Sequence, residues 1–246
     1  MTTTESFIAH LLELRTRLLH SVVALLLVFI GLMPWAANLY TWLAHPLLAK
    51  LPKGAQMIAT DVTTPFFVPL KVAMMAAFLI ALPYILYQIW RFVAPGLYAH
   101  EKRLVWPLIF ASTLLFFCGM AFAYFAVFPI VFGFITASAP QGVAVMTDID
   151  KYLSFVLGMF MAFGITFQVP VAVVILVRMG LVTVAQLRDI RRYVIVGAFI
   201  IGAIFTPPDV VSQFMLAMPL WLLYEAGIVV ASWMQPNKND ARKAAA

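Results

Sequence analysis

The segment RFVAPGLYAHEKRL, Arg91 to Leu104, lies between two long apolar runs and is the first indication of the fold class. Its fourteen residues hold three basic side chains, one acid, one histidine and two aromatic residues, whereas most of the chain avoids charge. A polar connector between two apolar runs of helical length is typical of a loop between membrane-spanning helices.

The composition excludes an ordinary soluble domain. The chain has 246 residues, of which 64% are hydrophobic and 11% are charged, and its mean hydropathy is +1.00. Soluble domains have about 25% charged residues, so the apolar excess indicates a polytopic membrane protein. The net charge of +6 does not indicate a nucleic-acid partner, because the basic residues lie in short connectors between apolar runs. The single cysteine, Cys118, lies within an apolar run and can form no intrachain disulfide.

Six apolar runs are long enough to be considered as membrane spans, and all are predicted to be helices because a lipid-exposed backbone must bond to itself. The first run follows charged residues and is too long for the apolar part of a cleavable signal, so it is interpreted as a retained span. The runs are His20–Ala37, Val68–Trp90, Leu104–Ile135, Tyr152–Val177, Tyr193–Thr206 and Val210–Trp233. The fold class is therefore all-α, with a single six-helix membrane domain over residues 1–234 and a disordered cytoplasmic tail over residues 235–246.

The basic residues predict the orientation. With six spans both termini lie on one side, and twelve of the sixteen lysine and arginine residues fall on that side. The positive-inside rule then places both termini in the cytoplasm. The four on the other side are Lys50, Lys53, Lys71 and Lys151. The loop that contains Glu101 is consequently cytoplasmic.

Two runs have unusual lengths. The fifth has about 14 residues, which at ~1.5 Å per residue is about 21 Å, against a hydrocarbon core of roughly 30 Å. Such a helix must thin the bilayer or be shielded by other helices. The third run is too long, and its end is predicted to leave the bilayer near Pro129. The outer loops are interpreted as a packed periplasmic cap that includes a short amphipathic helix near Leu39–Leu48.

Polar residues inside the spans are the first functional candidates. The sequence contains no motif for a catalytic centre, a nucleotide or a metal, so we expect no enzyme activity, no metal and no cofactor. Gln168 lies near the middle of the fourth run, two residues before Pro170, which predicts a helix kink beside a buried amide. Gln168 is a partner contact or a helix–helix hydrogen bond, and Glu225 in the sixth run is a functional acid or a residue that reaches the interface.

Two cytoplasmic acids are the second candidates. Glu13 lies in HLLELRTRLL before the first span, and Glu101 lies in the segment RFVAPGLYAHEKRL. Both can form local ion pairs, Glu13 with Arg17 and Glu101 with its basic neighbours. Alternatively, the two carboxylates form a receptor for cationic groups, for which a guanidinium is well suited because it binds carboxylates with two parallel hydrogen bonds.

Taken together, several segments and the six-span plan with both ends inside resemble TatC, the receptor subunit of the twin-arginine protein translocase. The segments are HLLELRTRLL, ATDVTTPFF, RFVAPGLYAHEKR, GMAFAYFAVFP, MAFGITFQVPVAV and RRYVIVGAFIIGAIFTPPD. They cover nearly the whole chain in one order.

The resemblance implies a concave bundle with a periplasmic cap, located in the bacterial inner membrane as a multi-pass protein. It implies that the chain binds twin-arginine signal peptides of folded precursor proteins at the cytoplasmic face. It also implies export driven by the proton-motive force together with TatA-like and TatB-like single-span subunits, contact with membrane lipid, and self-association. The implied signal-peptide site consists of Glu13, Glu101, Arg15, Phe92 and Arg103. The implied residues of the outer cap are Pro46, Phe66 and Asp209.

One departure and two alternatives accompany this resemblance. Members of the family often have Glu at the position of Gln168, and an amide cannot ionise, so a role that requires a charge there does not transfer. The alternatives are a proton-coupled small-molecule secondary transporter and a passive membrane scaffold. The transporter is disfavoured because relays usually need several intramembrane acids, whereas these spans contain one.

Overall fold

A computed structural model describes residues 3–48, 57–93, 105–137, 147–205 and 210–233 of the chain. Ten α-helices account for most of these residues. Their bounds are α1 Thr3–Leu32, α2 Ala36–Leu48, α3 Thr64–Val93, α4 Val105–Phe122, α5 Phe128–Ala137, α6 Ile149–Thr166, α7 Val169–Arg178, α8 Val184–Asp189, α9 Arg191–Phe205 and α10 Val210–Trp233.

The elements between these helices are short. A 3-10 turn, Met33–Trp35, joins α1 to α2, and a π-helical turn, Ala123–Val127, joins α4 to α5. Two strands of two residues each, β1 Met57–Ile58 and β2 Thr147–Asp148, pair in parallel. The prediction of an all-α membrane fold is confirmed, with this β pair as a small addition.

Within the part of the chain that the structure describes, five segments are long and apolar enough to cross a membrane, and they correspond to five of the six predicted runs. They are His10–Leu43, Thr64–Phe92, Trp106–Phe134, Ile149–Arg178 and Val210–Trp233. The remaining predicted span corresponds to α9, whose 15 residues confirm the short fifth helix. The placement of the termini in the cytoplasm stays a prediction.

The first helix begins earlier than the apolar run indicated. We placed the first span at His20, but α1 begins at Thr3 in the part of the chain that the structure describes. Leucine, glutamate and arginine favour helix, so the charged segment before the span continues the same helix. The apolar segment from His10 to Leu43 would measure about 51 Å, which exceeds a hydrocarbon core of roughly 30 Å. The ends of this segment, Glu13 among them, can therefore lie outside that core.

The chain divides into two compact units. The first contains α1, α2, α3, the two short strands and the beginnings of α4 and α6. In this unit α3 packs along α1 and also along α2. One hydrophobic cluster of this unit consists of the buried residues Val68, Val72 and Leu153. Leu39 and Leu43 of α2 pack against this cluster. The predicted helix near Leu39–Leu48 is present as α2. Its place in a periplasmic cap stays a prediction.

The second unit contains the remaining parts of α4 and α6 together with α5, α7, α8, α9 and α10. Helix α10 packs on α7 and α9, with buried Tyr224, Ile228 and Ala231 in the contact with the α7–α8 region. A side chain at Gly227 would meet the Pro170 backbone at 2.9 Å, so this glycine permits the close approach of α10 to α7.

The fourth apolar run is broken where the proline predicted a kink. Helix α6 ends at Thr166, and α7 begins at Val169 with Pro170 in its first turn, where the missing proline N–H is least costly. The α7 helix ends at a turn in which Gly180 adopts φ of 69°, a left-handed conformation that favours glycine. Helix α8 then begins with a reciprocal capping box between Thr183 and Gln186.

Candidate functional site

The cytoplasmic candidates are positioned by the packing of α1 on α3. His10, Glu13 and Arg17 are separated by three and four residues, so they share one face of α1. On α3, Gln88 and Phe92 are four residues apart and share a face near the helix end. Because α1 packs along α3, these two faces meet within the first unit.

Glu13 is engaged in an ion pair with Arg17. The Arg17 Nε donates to Glu13 Oε1 at 2.9 Å, and Nη2 donates to the same oxygen. The remaining terminal nitrogen, Nη1, lies 3.5 Å from Gln88 Oε1. Gln88 Nε2 in turn donates to the Tyr84 hydroxyl at 2.7 Å. A continuous polar chain therefore connects Glu13 on α1 with Gln88 and Tyr84 in the C-terminal half of α3.

An aromatic contact lies beside this polar chain. The ring of Phe92 is half-buried and stacks on the His10 ring, with the centroids 4.3 Å apart and an interplanar angle of 21°. The Phe92 ring therefore lies close to the α1 face that carries Glu13, since His10 precedes Glu13 by about one helical turn. The part of Phe92 in a binding site stays a prediction. An apolar ring next to a carboxylate could bind a cationic residue together with an apolar neighbour.

Of the predicted site residues, Glu13 and Phe92 lie where α1 packs on α3, whereas Arg15 lies on another face of α1. Arg15 is exposed, and residues two apart do not share a helix face, so it points away from the Glu13 face. Glu101 and Arg103 lie outside the described residues. The participation of Arg15, Glu101 and Arg103 in one site stays a prediction.

The site also contains residues that the sequence analysis did not single out. Gln88 is 7% exposed and contacts Arg17 across 71 residues of sequence, and Tyr84 and His10 extend the same cluster. The helical spacing of Tyr84, Gln88 and Phe92 was a usable signal, because polar and aromatic groups at intervals of four residues line one face.

Two of the three residues predicted for the outer cap lie within the described part of the chain. Pro46 lies in the last turn of α2, and Phe66 lies in the first turn of α3, where its exposed ring makes an edge contact with Phe67. Asp209 lies outside the described residues. The shared role of Pro46 and Phe66 in an outer cap stays a prediction.

Gln168 lies at the break between α6 and α7 and is half-buried. Its Nε2 atom lies 3.5 Å from the Gly164 carbonyl oxygen, which is a long hydrogen bond within its own segment. Its backbone carbonyl accepts from Ala172 at 2.9 Å. The amide is therefore placed at a helix discontinuity, and its contact with a partner helix stays a prediction.

Glu225 is paired within the second unit. Arg191 Nη2, at the first residue of α9, donates to Glu225 Oε2 at 2.6 Å, and the Glu225 side chain is 24% exposed. The neighbouring Tyr224 hydroxyl donates to the Leu187 carbonyl at 2.8 Å. A carboxylate that already binds a guanidinium is compensated locally, and contact with a partner stays a prediction. Among the described residues, no cluster of three or more histidine, cysteine, aspartate or glutamate side chains could hold a metal.

Comparisons with known proteins agree on one family. The family described as TatC, Sec-independent protein translocase protein, matches residues 9–219 of the chain. The TatC protein of Haemophilus influenzae is 51% identical over 237 residues, covering 96% of this chain and 93% of that protein. The TatC protein of Azotobacter chroococcum is 55% identical over 234 residues, covering 95% and 92% of the two chains.

A solved structure gives the same result at the level of the fold. The crystal structure of the twin-arginine translocase receptor TatC superposes on this chain with a TM-score of 0.81 and 41% sequence identity. The superposition covers 91% of this chain and 98% of the solved one. The family match over residues 9–219 includes α3 and most of α1, which form the candidate site. The chain therefore belongs to the TatC family of Sec-independent protein translocase proteins.

Proposed function

We propose that this chain is the receptor of a twin-arginine translocase, and that it binds signal peptides through Glu13 and Glu101 at the cytoplasmic face. The chain is a multi-pass protein of the bacterial inner membrane and a protein translocase component rather than an enzyme. In this proposal each carboxylate receives one guanidinium of the peptide. Phe92 packs against an apolar residue of the peptide, and Arg15 and Arg103 flank the site.

The observation that supports this assignment most directly is the placement of Glu13 beside Phe92. Glu13 lies on the α1 face that meets the last turn of α3, and residues 94–104, which include Glu101, follow that turn directly in sequence. A site built from a carboxylate, an aromatic ring and a second acid a few residues beyond it suits a peptide with two arginines. A small-molecule transporter has no comparable support, since Glu225 is ion-paired to Arg191.

The same proposal includes partners within the membrane. TatA-like and TatB-like subunits with single spans would dock against the helices of the second unit, with the Gln168 amide as a hydrogen-bonding contact. Export would use the proton-motive force, and self-association would assemble several copies of the chain. The helices expose many large apolar side chains, such as Phe125, Ile204 and Val210, which suits contact with lipid and with other helices.

The binding prediction concerns the two acids. Glu13→Ala and Glu101→Ala should each weaken binding of a twin-arginine signal peptide, since each loses a charge-assisted contact of about 1.5–3 kcal/mol. Binding is measured by photocrosslinking of the purified protein to a peptide with paired arginines and to the same peptide with paired lysines. Both variants should insert into the membrane and accumulate as the parent does.

A matched control removes an acid elsewhere. Asp189 ends α8 and is exposed, so Asp189→Ala changes the net charge equally without touching α1 or α3. It should bind peptide as the parent does. Unchanged crosslinking in both glutamate variants would eliminate the two-carboxylate site, and equal crosslinking of arginine and lysine peptides to the parent would indicate a passive scaffold.

A further inference from the structure

The Glu13 carboxylate already holds a guanidinium, and that guanidinium belongs to the chain itself. Arg17 presents Nε and Nη2 to Glu13 Oε1, so two donors converge on one oxygen. A peptide arginine would offer the same donors to the same carboxylate. Arg17 is thus chemically equivalent to the ligand that the proposed function assigns to Glu13.

The pair is supported more strongly than an exposed ion pair on a helix surface. The Arg17 side chain is 17% exposed and that of Glu13 is 35% exposed. On the side facing α3, Arg17 Nη1 approaches Gln88 Oε1, and the buried Gln88 is itself bonded to Tyr84. The guanidinium is therefore held between two helices, and it retains a neutral hydrogen-bond partner when it leaves Glu13.

We propose that Arg17 is an internal occupant of the Glu13 carboxylate, which an arginine of the signal peptide must displace. This inference rests on the proposed function, because it presumes that Glu13 receives a peptide guanidinium. In the resting chain Arg17 occupies Glu13 Oε1. On binding, the peptide arginine takes Glu13 Oε1, and Arg17 remains with Gln88.

Competition between Arg17 and a peptide arginine for Glu13 should lower the apparent affinity for the peptide. When only a fraction of the molecules has an accessible Glu13, the apparent affinity falls by that fraction. The cost of displacing Arg17 is the same for every peptide, so it cancels from the ratio of affinities of two peptides. Arg17 should therefore reduce the affinity for peptides with paired arginines and paired lysines by one common factor. A residue that merely positions Glu13 would have the opposite effect, since its removal would weaken binding.

The test measures peptide affinity by fluorescence anisotropy with the full chain purified in detergent. Two labelled probes are used, a twin-arginine signal peptide and the same peptide with paired lysines. Arg17→Met retains the apolar stem and removes the guanidinium. It should bind both probes about three- to tenfold more tightly, with an unchanged ratio between them. Arg17→Lys, which keeps a single point charge opposite Glu13, should give a smaller increase.

The control is Arg188→Met, which removes the positive charge of an exposed residue of α8. This variant should leave both affinities at the parent values. Unchanged or weaker binding by Arg17→Met would overturn the inference, as would a change in the ratio of the two affinities. Glu13→Ala separates this result from a failure of the proposed function. If Glu13→Ala weakens binding while Arg17→Met does not strengthen it, only the internal occupant is wrong. If Glu13→Ala binds as the parent does, both the site and the inference are wrong.

Discussion

At the scale of single residues, the polar side chains of the apolar helices differ in their hydrogen-bond partners. Glu225 receives a guanidinium from Arg191, so its charge is balanced inside the second unit. Thr113 donates its hydroxyl to the Ile109 carbonyl of its own helix at 2.8 Å. Gln168 instead lies at the break between α6 and α7, where its Nε2 atom is 3.5 Å from the Gly164 carbonyl oxygen. Of these three residues, Gln168 is the one that lies at a break between two helices.

The prediction for Gln168 concerns this interaction. Gln168→Leu should fold, because it removes a partly buried polar group, but it should lose export of a twin-arginine reporter protein. Gln168→Glu should retain export, because a carboxyl in an apolar environment tends to be protonated and can then both donate and accept. Export of the reporter and crosslinking from position 168 to partner helices are the two measurements.

The control for this prediction is Thr113→Val, which removes a hydroxyl that is bonded within its own helix and should leave export intact. Full export by the leucine variant would show that the amide is only structural, as in an ordinary helix–helix hydrogen bond.

At the scale of elements, helix lengths and close contacts between helices determine how the chain fits a bilayer. Helix α4 continues through a π-helical turn into α5, which accommodates the long third run. In the second unit α4 and α6 approach closely, because Gly119 lies against the Phe163 backbone and Gly164 lies beneath the Phe116 ring. The exit of this run from the bilayer near Pro129 stays a prediction.

The element-scale prediction concerns α9. Its 15 residues measure about 22 Å, so it should thin the surrounding lipid or depend on shielding by neighbouring helices. Inserting four leucines into VGAFIIGAIF adds about 6 Å, which should relieve this mismatch and impair export of a twin-arginine reporter.

The control keeps the length and changes only the apolar side chains. Val196, Ile200, Ile201 and Ile204 are exposed, and their replacement by leucine should leave export intact. Normal export by the lengthened chain would mean that thinning at α9 has no part in transport.

At the scale of the whole molecule, contacts between distant segments hold each unit together. In the first unit, β1 pairs with β2, and Thr60 donates both its hydroxyl and its backbone N–H to Asp148, 88 residues away. Asp148 also caps α6 by accepting from Lys151 N at 2.9 Å. Lys71 Nζ donates to Asp150 at 2.5 Å and to Ser154 at 3.1 Å, which joins α3 to the start of α6.

The prediction at this scale concerns pH. The hydrogen bond from the Thr60 hydroxyl, with the backbone N–H of Lys151, lowers the pKa of Asp148 from 3.8 to about 2. A depressed pKa in the folded state means that this contact stabilises the fold above pH 4 and is lost as the pH falls from about 4 to about 2. Thr60→Val should raise the pKa of Asp148 toward 3.8, as measured by NMR titration of labelled aspartate carboxyl carbons in micelles.

In that titration Asp148→Asn identifies the signal. Thr41→Val serves as the control, because the Thr41 hydroxyl bonds to Ala37 within α2 and should not affect Asp148. An unchanged pKa in Thr60→Val would show that Thr60 does not hold the carboxylate.

Much of the fold follows from the sequence because its determinants are local. Apolar runs become helices since each backbone bond is made within a few residues, and α10 begins and ends where its apolar run does. The break before Pro170 and the short α9 are local in the same sense, because a proline or a run of 14 residues acts without distant partners. The ion pair of Glu13 with Arg17 was one of two alternatives, and its spacing of four residues made it foreseeable.

Only the tertiary structure decided which helix faces meet. Periodicity gives the face on which Glu13 and Arg17 lie, but it contains no information on which other helix covers that face. The contact of Arg17 with Gln88 and the stacking of His10 on Phe92 depend on the register of α1 against α3. That register results from side-chain packing summed over both helices, which no short segment determines. The apolar pattern of the sequence therefore determined the helices, whereas the packing of α1 on α3 determined the surroundings of Glu13.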